Sequence, residues 1–176
     1  QALNPMASAP GLTLESLCDA LGHIPLAYQP GTFWRYSLAT DVTARLIEVI
    51  SGQRFDEFLK ARIFEPLGMV DTDFFVPVDK QDRLTTLYLP TDPLDPMSEC
   101  AAPMDSPAAT TTAELPSFLS GGGGLMSTLV DYLAFVRMVV GDGCYQGKTL
   151  VKPETLALMR TNQCADGIGV NFPMWS

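Results

Sequence analysis

The spacing of apolar residues divides most of this chain into helices. Leu14, Leu17, Cys18 and Leu21 recur at helical spacing behind Thr13, a residue type that caps helix N-termini, and Gly22 stands where a left-handed exit would end the element. The pattern predicts a first helix from Thr13 to Leu21. Val42, Leu46, Val49 and Ile50 form a second stripe, on a helix from Ala39 to Ile50 with Arg45 and Glu48 expected outside and Gly52 as its stop. A third helix starts at once, with Phe55, Phe58, Leu59 and Ile63 as its stripe and Asp56 and Glu57 suited to its positive N-terminal end. Pro66 is expected to end it at Glu65, since proline cannot continue the hydrogen-bond ladder. Thr128 with Asp131 predicts a capping box, followed by Leu129, Leu133, Val136 and Val140 as a buried stripe up to Gly141. Pro153, at a first helical position, opens a last helix through Met159.

The intervening stretches carry other signals. Residues 1 to 11 read as a loop, and His23 to Thr32 as an extended connection held by Pro25 and Pro30. Phe74 to Val76 and Arg83 to Leu89 have the composition of short strands, expected to pair across a polar turn at Asp79 to Asp82. From Pro90 to Pro116 six prolines and a threonine run leave no regular element to expect. That stretch reads as a lid, a pocket wall or an insertion, with Leu94, Met97, Met104 and Leu115 available to pack on a body; the alternative is a linker between domains. Ser120-Gly121-Gly122-Gly123-Gly124 predicts either a close backbone approach or positive φ beside a pocket. It is not a phosphate cradle, because Leu125 stands where a P-loop needs lysine, and Gly147-Lys148-Thr149 lacks the earlier glycine of such a loop. Gly141 to Lys148 reads as a turn and Thr149 to Val151 as a short extended piece.

Composition then narrows the classes. With 176 residues, 47% of them hydrophobic, the chain is able to bury a core. A net charge of −9 with only 11 lysines and arginines argues against nucleic acid as a partner. No apolar run reaches the roughly 20 residues of a membrane span. The four cysteines, Cys18, Cys100, Cys144 and Cys164, include no C-x-x-C pair and have a single histidine, His23, beside them, so neither a zinc site nor a disulfide framework is indicated. Free thiols fit a reducing compartment, and a cytoplasmic location is favoured. His23 lies just past a helix end, where its side chain suits terminal carbonyls, and no G-x-S-x-G elbow exists for it to serve. No cofactor is implied.

One stretch organises the rest. Pro30-Gly31-Thr32-Phe33-Trp34-Arg35-Tyr36-Ser37-Leu38 runs a turn pair and two aromatics straight into the second helix, and brings Tyr36 to the residues just before it, where a phenol can project into a cleft. Together with Ser51 to Phe55, Phe58-Leu59, Ile63 to Met69 with Asp71-Thr72, and Ser120 to Thr128 with Asp131-Tyr132, this series resembles the serine β-lactamase-like superfamily, in particular its class C and family VIII carboxylesterase branch. The likeness covers most of the chain outside the proline-rich stretch. It implies a catalytic role for Tyr36, as the tyrosine of a Y-x-N motif that assists proton transfer at a serine nucleophile. Leu38 replaces the asparagine of that motif, a departure closer to the esterase branch than to enzymes that open β-lactams.

The resemblance also shows what these residues do not carry. No serine has a lysine three places on, and no late K-T-G or W-G-G strand is present, so the nucleophile is expected before Gln1 and the closing strand after Ser176. Phenols ordinarily titrate near pH ~10, so a tyrosine acting as base near neutrality needs a cation close by. In the family an adjacent lysine supplies it, while Arg35 is expected to face solvent. The organisation implied is α+β: a mainly helical central segment of a β-lactamase/transpeptidase-like fold, its antiparallel sheet completed from outside the chain. Residues 1–89 would form a helical subdomain with the tyrosine motif, 90–116 the proline-rich loop or lid, and 117–176 the glycine-rich stretch and helices of the α/β part. The function implied is hydrolysis of a small-molecule ester or amide by the whole protein through an acyl-serine intermediate. The alternative is a catalytically inactive domain of the same fold that binds a small ligand or a protein.

Overall fold

The computed structural model describes residues 11–86, 88–90, 100–103 and 113–169. The described part is α+β and mainly helical: six α-helices with a π-helical and a 3-10 turn among them, and two small antiparallel hairpins. Helix α1 (Leu14–Gly22) opens with a reciprocal cap, the Ser16 amide donating to Thr13 Oγ1 at 3.1 Å and the Thr13 amide to Ser16 Oγ at 3.0 Å. Leu14 and Leu17 are buried as the spacing predicts. Gly22 does not leave the helix left-handed. The last turn tightens instead, with the His23 amide bonded to the Ala20 carbonyl, so the left-handed exit expected there is replaced by a right-handed one at His23.

Helix α2 (Ala39–Ser51) ends where predicted, at Gly52 with φ 68°. Its orientation is the reverse of expectation. Asp41 and Ala44 are buried and Ile47 packs on the core, while Val42, Leu46, Val49 and Ile50 are 43%, 54%, 63% and 76% exposed. The reason lies in the chain that crosses it: a Cβ on Gly121 would stand 2.4 Å from the Thr40 carbonyl oxygen and 2.9 Å from the Ala44 methyl, an approach that only a small-residue face of α2 permits. Arg45 and Glu48 are correspondingly half-buried. Glu48 accepts the Phe55 amide at 3.1 Å and pairs with Arg45 at 3.2 Å, and Arg45 also pairs with Glu15 of α1.

Helix α3 (Phe55–Leu59) does not end at Pro66. It widens into a π-helical turn (Lys60–Phe64), in which the Glu65 amide reaches back to the Lys60 carbonyl, and continues as the short α4 (Glu65–Leu67) with Pro66 near its start. The wider turn moves the proline ring off the carbonyl it would otherwise strike, so Pro66 is tolerated and Gly68 provides the stop. Helix α5 (Leu129–Val140) is also rotated from expectation: Asp131, Ala134 and Met138 are buried, Val136 is half-buried, and Leu129, Leu133 and Val140 are exposed. Helix α6 (Pro153–Met159) begins on Pro153 and buries Leu156.

The strand expectations need correction. Val78–Arg83 is a 3-10 turn, and Phe74 to Val76 makes no ribbon with it; Asp73 instead forms a lone antiparallel bridge with Met126. β1 (Tyr88–Pro90) pairs with β2 (Cys100–Pro103), placing a regular strand inside the stretch read as irregular. Pairing brings together residues too far apart in sequence for local spacing to betray it. Leu94, Met97 and Met104 lie outside the described residues, whereas Leu115 packs on the core as expected. β3 (Cys144–Tyr145) and β4 (Lys148–Thr149) form a second hairpin across the predicted turn and the start of the predicted extended piece, with Gln146 and Gly147 both at positive φ between them.

Two buried clusters hold these elements. Leu14, Ala44, Phe55, Phe74 and Leu119 make one, with the Phe55 and Phe74 rings 5.8 Å apart. Phe64, Leu67, Met69, Ala134 and Met138 make the other. Leu59 packs against both, so the helix from Phe55 onward is the spine that joins α1 and α2 to α5.

Candidate functional site

The segment that carries Tyr36 is shaped by local bonds. Pro30 and Gly31 occupy the centre of a turn closed by the Thr32 amide on the Gln29 carbonyl at 3.1 Å, and Gly31 has φ 81°, which a side chain would disfavour there. The Thr32 hydroxyl donates to the same carbonyl at 2.7 Å. Beyond the turn, the Phe33 ring stacks on Tyr28 with centroids 4.5 Å apart, and Arg35 donates from Nη1 to the Tyr28 hydroxyl at 3.2 Å. Arg35 is exposed, as expected, and its guanidinium turns back along the surface. Tyr28 was not singled out by sequence reasoning; an aromatic five residues before Phe33 across a Pro-Gly turn is the signal that points to it.

Tyr36 follows this brace and is 61% exposed. Directly after it the Ser37 hydroxyl accepts the Ala39 amide at 3.3 Å, satisfying one of the free donors at the start of α2. A shallow cleft beside the segment has Phe33 and Trp34 on one wall and Gln163, Cys164 and Ile168 on the other. Most of the proline-rich stretch expected to border the tyrosine, residues 91–99 and 104–112, lies outside the described residues.

The glycine run is positioned by a buried carboxylate. Asp41, in the first turn of α2, is 4% exposed and its Oδ1 accepts the Ser120 hydroxyl at 2.7 Å. Ser120 Oγ in turn accepts the Gly122 amide at 3.2 Å. None of Gly121 to Gly124 has positive φ, so of the two uses open to this run the structure selects close approach. Sequence reasoning passed over Asp41. The signal was available in Asp41, Ala44 and Glu48, whose spacing makes a small and polar face on the helix opposite the apolar stripe.

A second set of polar side chains joins α5 to the loop after α4. Thr128 caps α5 by accepting the Asp131 amide at 3.2 Å, but the return half of the predicted capping box is not made: the Asp131 carboxylate turns away to accept the Asp71 amide at 2.7 Å and the Thr72 hydroxyl at 2.9 Å. Thr72 also shares a hydrogen bond with Ser127 at 2.7 Å. Asp71 pairs with Lys80 at 2.6 Å and Arg83 at 2.9 Å, at the rim of a small cavity lined by Phe75, Val76, Leu84 and Met126. Hydrogen bonds from Lys80 and then Arg83 hold the Asp71 carboxyl below the usual carboxylate range. Cys18, Cys144 and Cys164 are free thiols, and burial pushes the Cys18 thiol up. Among the described residues no group of three His, Cys, Asp or Glu side chains could hold a metal, and no helix is long and apolar enough to cross a membrane.

Comparison with known proteins identifies the family and the fold. The family model described as Beta-lactamase matches residues 1–173. An uncharacterised protein of Mycobacterium tuberculosis is 39% identical over 147 residues, covering 84% of this chain and 35% of its own length. The lovastatin esterase of Penicillium rubens is 32% identical over 144 residues, covering 81% of this chain and 34% of its own. The chain therefore spans about a third of the length of these relatives. Among solved structures, EstCE1, described as a hydrolase with promiscuous acyltransferase activity, superimposes with TM-score 0.67 at 27% identity, covering 85% of this chain and 40% of that one. Simvastatin synthase (LovD) from Aspergillus terreus shares the fold with TM-score 0.68, over 88% of this chain and 37% of its own.

Proposed function

This chain belongs to the beta-lactamase family, and on that premise we propose that it supplies the tyrosine-bearing part of an acyl-serine hydrolase acting on carboxylic esters. The observation that carries the reading is Tyr36, an exposed phenol that follows a braced turn just before the head of α2, on a segment whose Phe33 and Trp34 line a cleft. In the proposed reaction the serine of an S-x-x-K pair attacks the ester carbonyl. Its proton passes to the base formed by lysine and tyrosine, the alkoxide leaves with a proton, and water then cleaves the acyl-serine bond by the same route. Tyr36 assists the proton transfers, and the cation it needs is the lysine of that pair, since Arg35 is turned to Tyr28.

Ester chemistry is favoured over β-lactam chemistry by Leu38, which offers no amide to a β-lactam side chain, and by the esterase names among the relatives. The substrate is a small-molecule ester or amide, and the partner of this segment is the remainder of the same enzyme. The test is labelling of the protein as encoded by its gene with a serine-directed phosphonate, alongside hydrolysis of a short-chain nitrophenyl ester. Stoichiometric labelling at a serine followed three places on by lysine, with loss of esterase activity, is the expected result. No labelling and no turnover would make the domain a binding module, and labelling of any serine within these 176 residues would overturn the division of labour.

A further inference from the structure

We propose that the cleft between Phe33 and Trp34 on one side and the turn from Gln163 to Ile168 on the other holds the apolar moiety of the ester, so that the substrates are neutral esters carrying an alkyl or aromatic group. The inference rests on the hydrolase reading given above and adds the substrate class to it. The cleft is open and measures about 310 Å³. That is the small end of ligand clefts, which run roughly 300–1,000 Å³. Two aromatic rings face Cys164, Ala165 and Ile168 across it. Among the described residues that line it there is no acid, amine, guanidinium or imidazole, and Gln163 brings the one side-chain amide. A charged group entering between such walls would lose hydration with no opposite charge to replace it, whereas an alkyl or aryl group gains by leaving water.

Both walls are built by bonds within the chain. Phe33 is held by its stack on Tyr28, centroids 4.5 Å apart, and Tyr28 by the Arg35 bond at 3.2 Å. Across the cleft the Gln163 side-chain nitrogen donates to the Leu158 carbonyl at 2.8 Å and to the Thr161 hydroxyl at 2.6 Å, which ties that wall to the last turn of α6. The Cys164 amide donates to the Asn162 side chain at 3.0 Å, and the Ile168 amide closes a turn on the Ala165 carbonyl at 3.1 Å, with Gly167 at φ 84°. Walls set beforehand take up a ligand without the cost of ordering them. Tyr36 is not one of these walls. It stands two residues beyond Trp34, and two residues of chain span at most about 7 Å, so the cleft adjoins the backbone from which the phenol acts. Holding the apolar group and moving the proton thus fall to neighbouring residues of one segment.

The experiment measures kcat/KM of the protein as encoded for two pairs of esters: nitrophenyl hexanoate against nitrophenyl acetate, which lengthens the acyl group, and hexyl acetate against ethyl acetate, which lengthens the alcohol. A preference of about ten-fold or more for the longer member of one pair is expected, and that pair identifies the moiety held. Ala165→Trp, which fills the cleft from an exposed position, and Ile168→Asp, which charges it, should each lower that preference about ten-fold. A second readout needs neither variant nor turnover. Alkylation of the free, half-buried Cys164 by iodoacetamide, followed by peptide mass spectrometry, should slow several-fold in saturating hexanamide and not in acetamide. Should a variant fail to fold, the Cys164 readout decides. A preference that both variants leave within about two-fold of the parent, with Cys164 alkylated as fast in hexanamide as without it, overturns the cleft assignment and leaves the hydrolase reading standing. Protection of Cys164 in a protein that turns over neither pair leaves the cleft standing and overturns the hydrolase reading.

Discussion

The carboxylate of Asp131 accepts the hydroxyl of Thr72 at 2.9 Å, tying the first turn of α5 to the loop that leaves α4. Both residues are buried, and the same carboxylate holds the Asp71 amide. Asp131→Ala would remove a charged acceptor and leave a buried hydroxyl and an amide without it. Such a loss costs about 2–3 kcal/mol. Urea unfolding of the protein as encoded should show that drop with an unchanged m-value; a midpoint unmoved within error would mean the clamp contributes nothing.

Glycine 121 is where close approach is most demanding. Gly121→Ala would press a methyl into the Thr40 carbonyl and Ala44, and overpacking of this kind costs about 1–3 kcal/mol. Gly123→Ala meets nothing within 4 Å and should stay within about 0.5 kcal/mol of the parent. Equal melting temperatures for the two variants would contradict the account of how the run lies on α2.

Asp71 gives the chain a defined acid response. Its folded value is depressed by Lys80 and Arg83, so the stabilisation from this ion-pair cluster is present above the ordinary carboxylate range, about pH 4, and is lost as pH falls through the lower folded value. The stability difference between parent and Asp71→Asn should thus shrink on acidification below about pH 4 and be smaller in high salt, because Arg83 is exposed and Lys80 only half-buried. A carbon-detected titration placing the Asp71 carboxyl at or above the ordinary value would contradict the pairing.

The apolar faces turned outward make a further prediction. Val42, Leu46, Val49 and Ile50 on α2 lie in an exposed stripe of the kind that soluble monomers keep small. The 176-residue chain alone is expected to bind a hydrophobic dye, and Leu46→Lys with Ile50→Lys to reduce that binding without loss of helical signal. Absence of dye binding by the parent chain would show these faces to be satisfied in another way.

Much of this was legible in the residues, because helix ends are written locally. Thr13, Gly52, Thr128 and Pro153 stop or start their helices where their side chains or backbone freedom dictate. The rotation of α2 and α5 was not legible from apolar spacing, since the inward face is chosen by what crosses it, here the glycine run, which takes the small and polar face of α2, and the Phe64–Met69 cluster. Pro66 misled because a π-helical turn, which no residue type announces, makes room for it. The β1–β2 pairing and the Asp41–Ser120 bond span long separations in sequence, the latter 79 residues. The tyrosine segment was recognisable because its turn, aromatics and cap are consecutive.

The most direct test of the account is the kcat for ester hydrolysis of Tyr36→Phe in the protein as encoded, measured beside Tyr28→Phe as a control for the surface brace. A loss on the order of 10² in kcat for Tyr36→Phe is expected, the usual scale for a group that moves a proton, with unfolding temperature unchanged because the ring is largely exposed. Tyr28→Phe, which gives up only the Arg35 contact, should fall far less. Activity of Tyr36→Phe within a few-fold of the parent would contradict the claim that this tyrosine takes part in the chemistry.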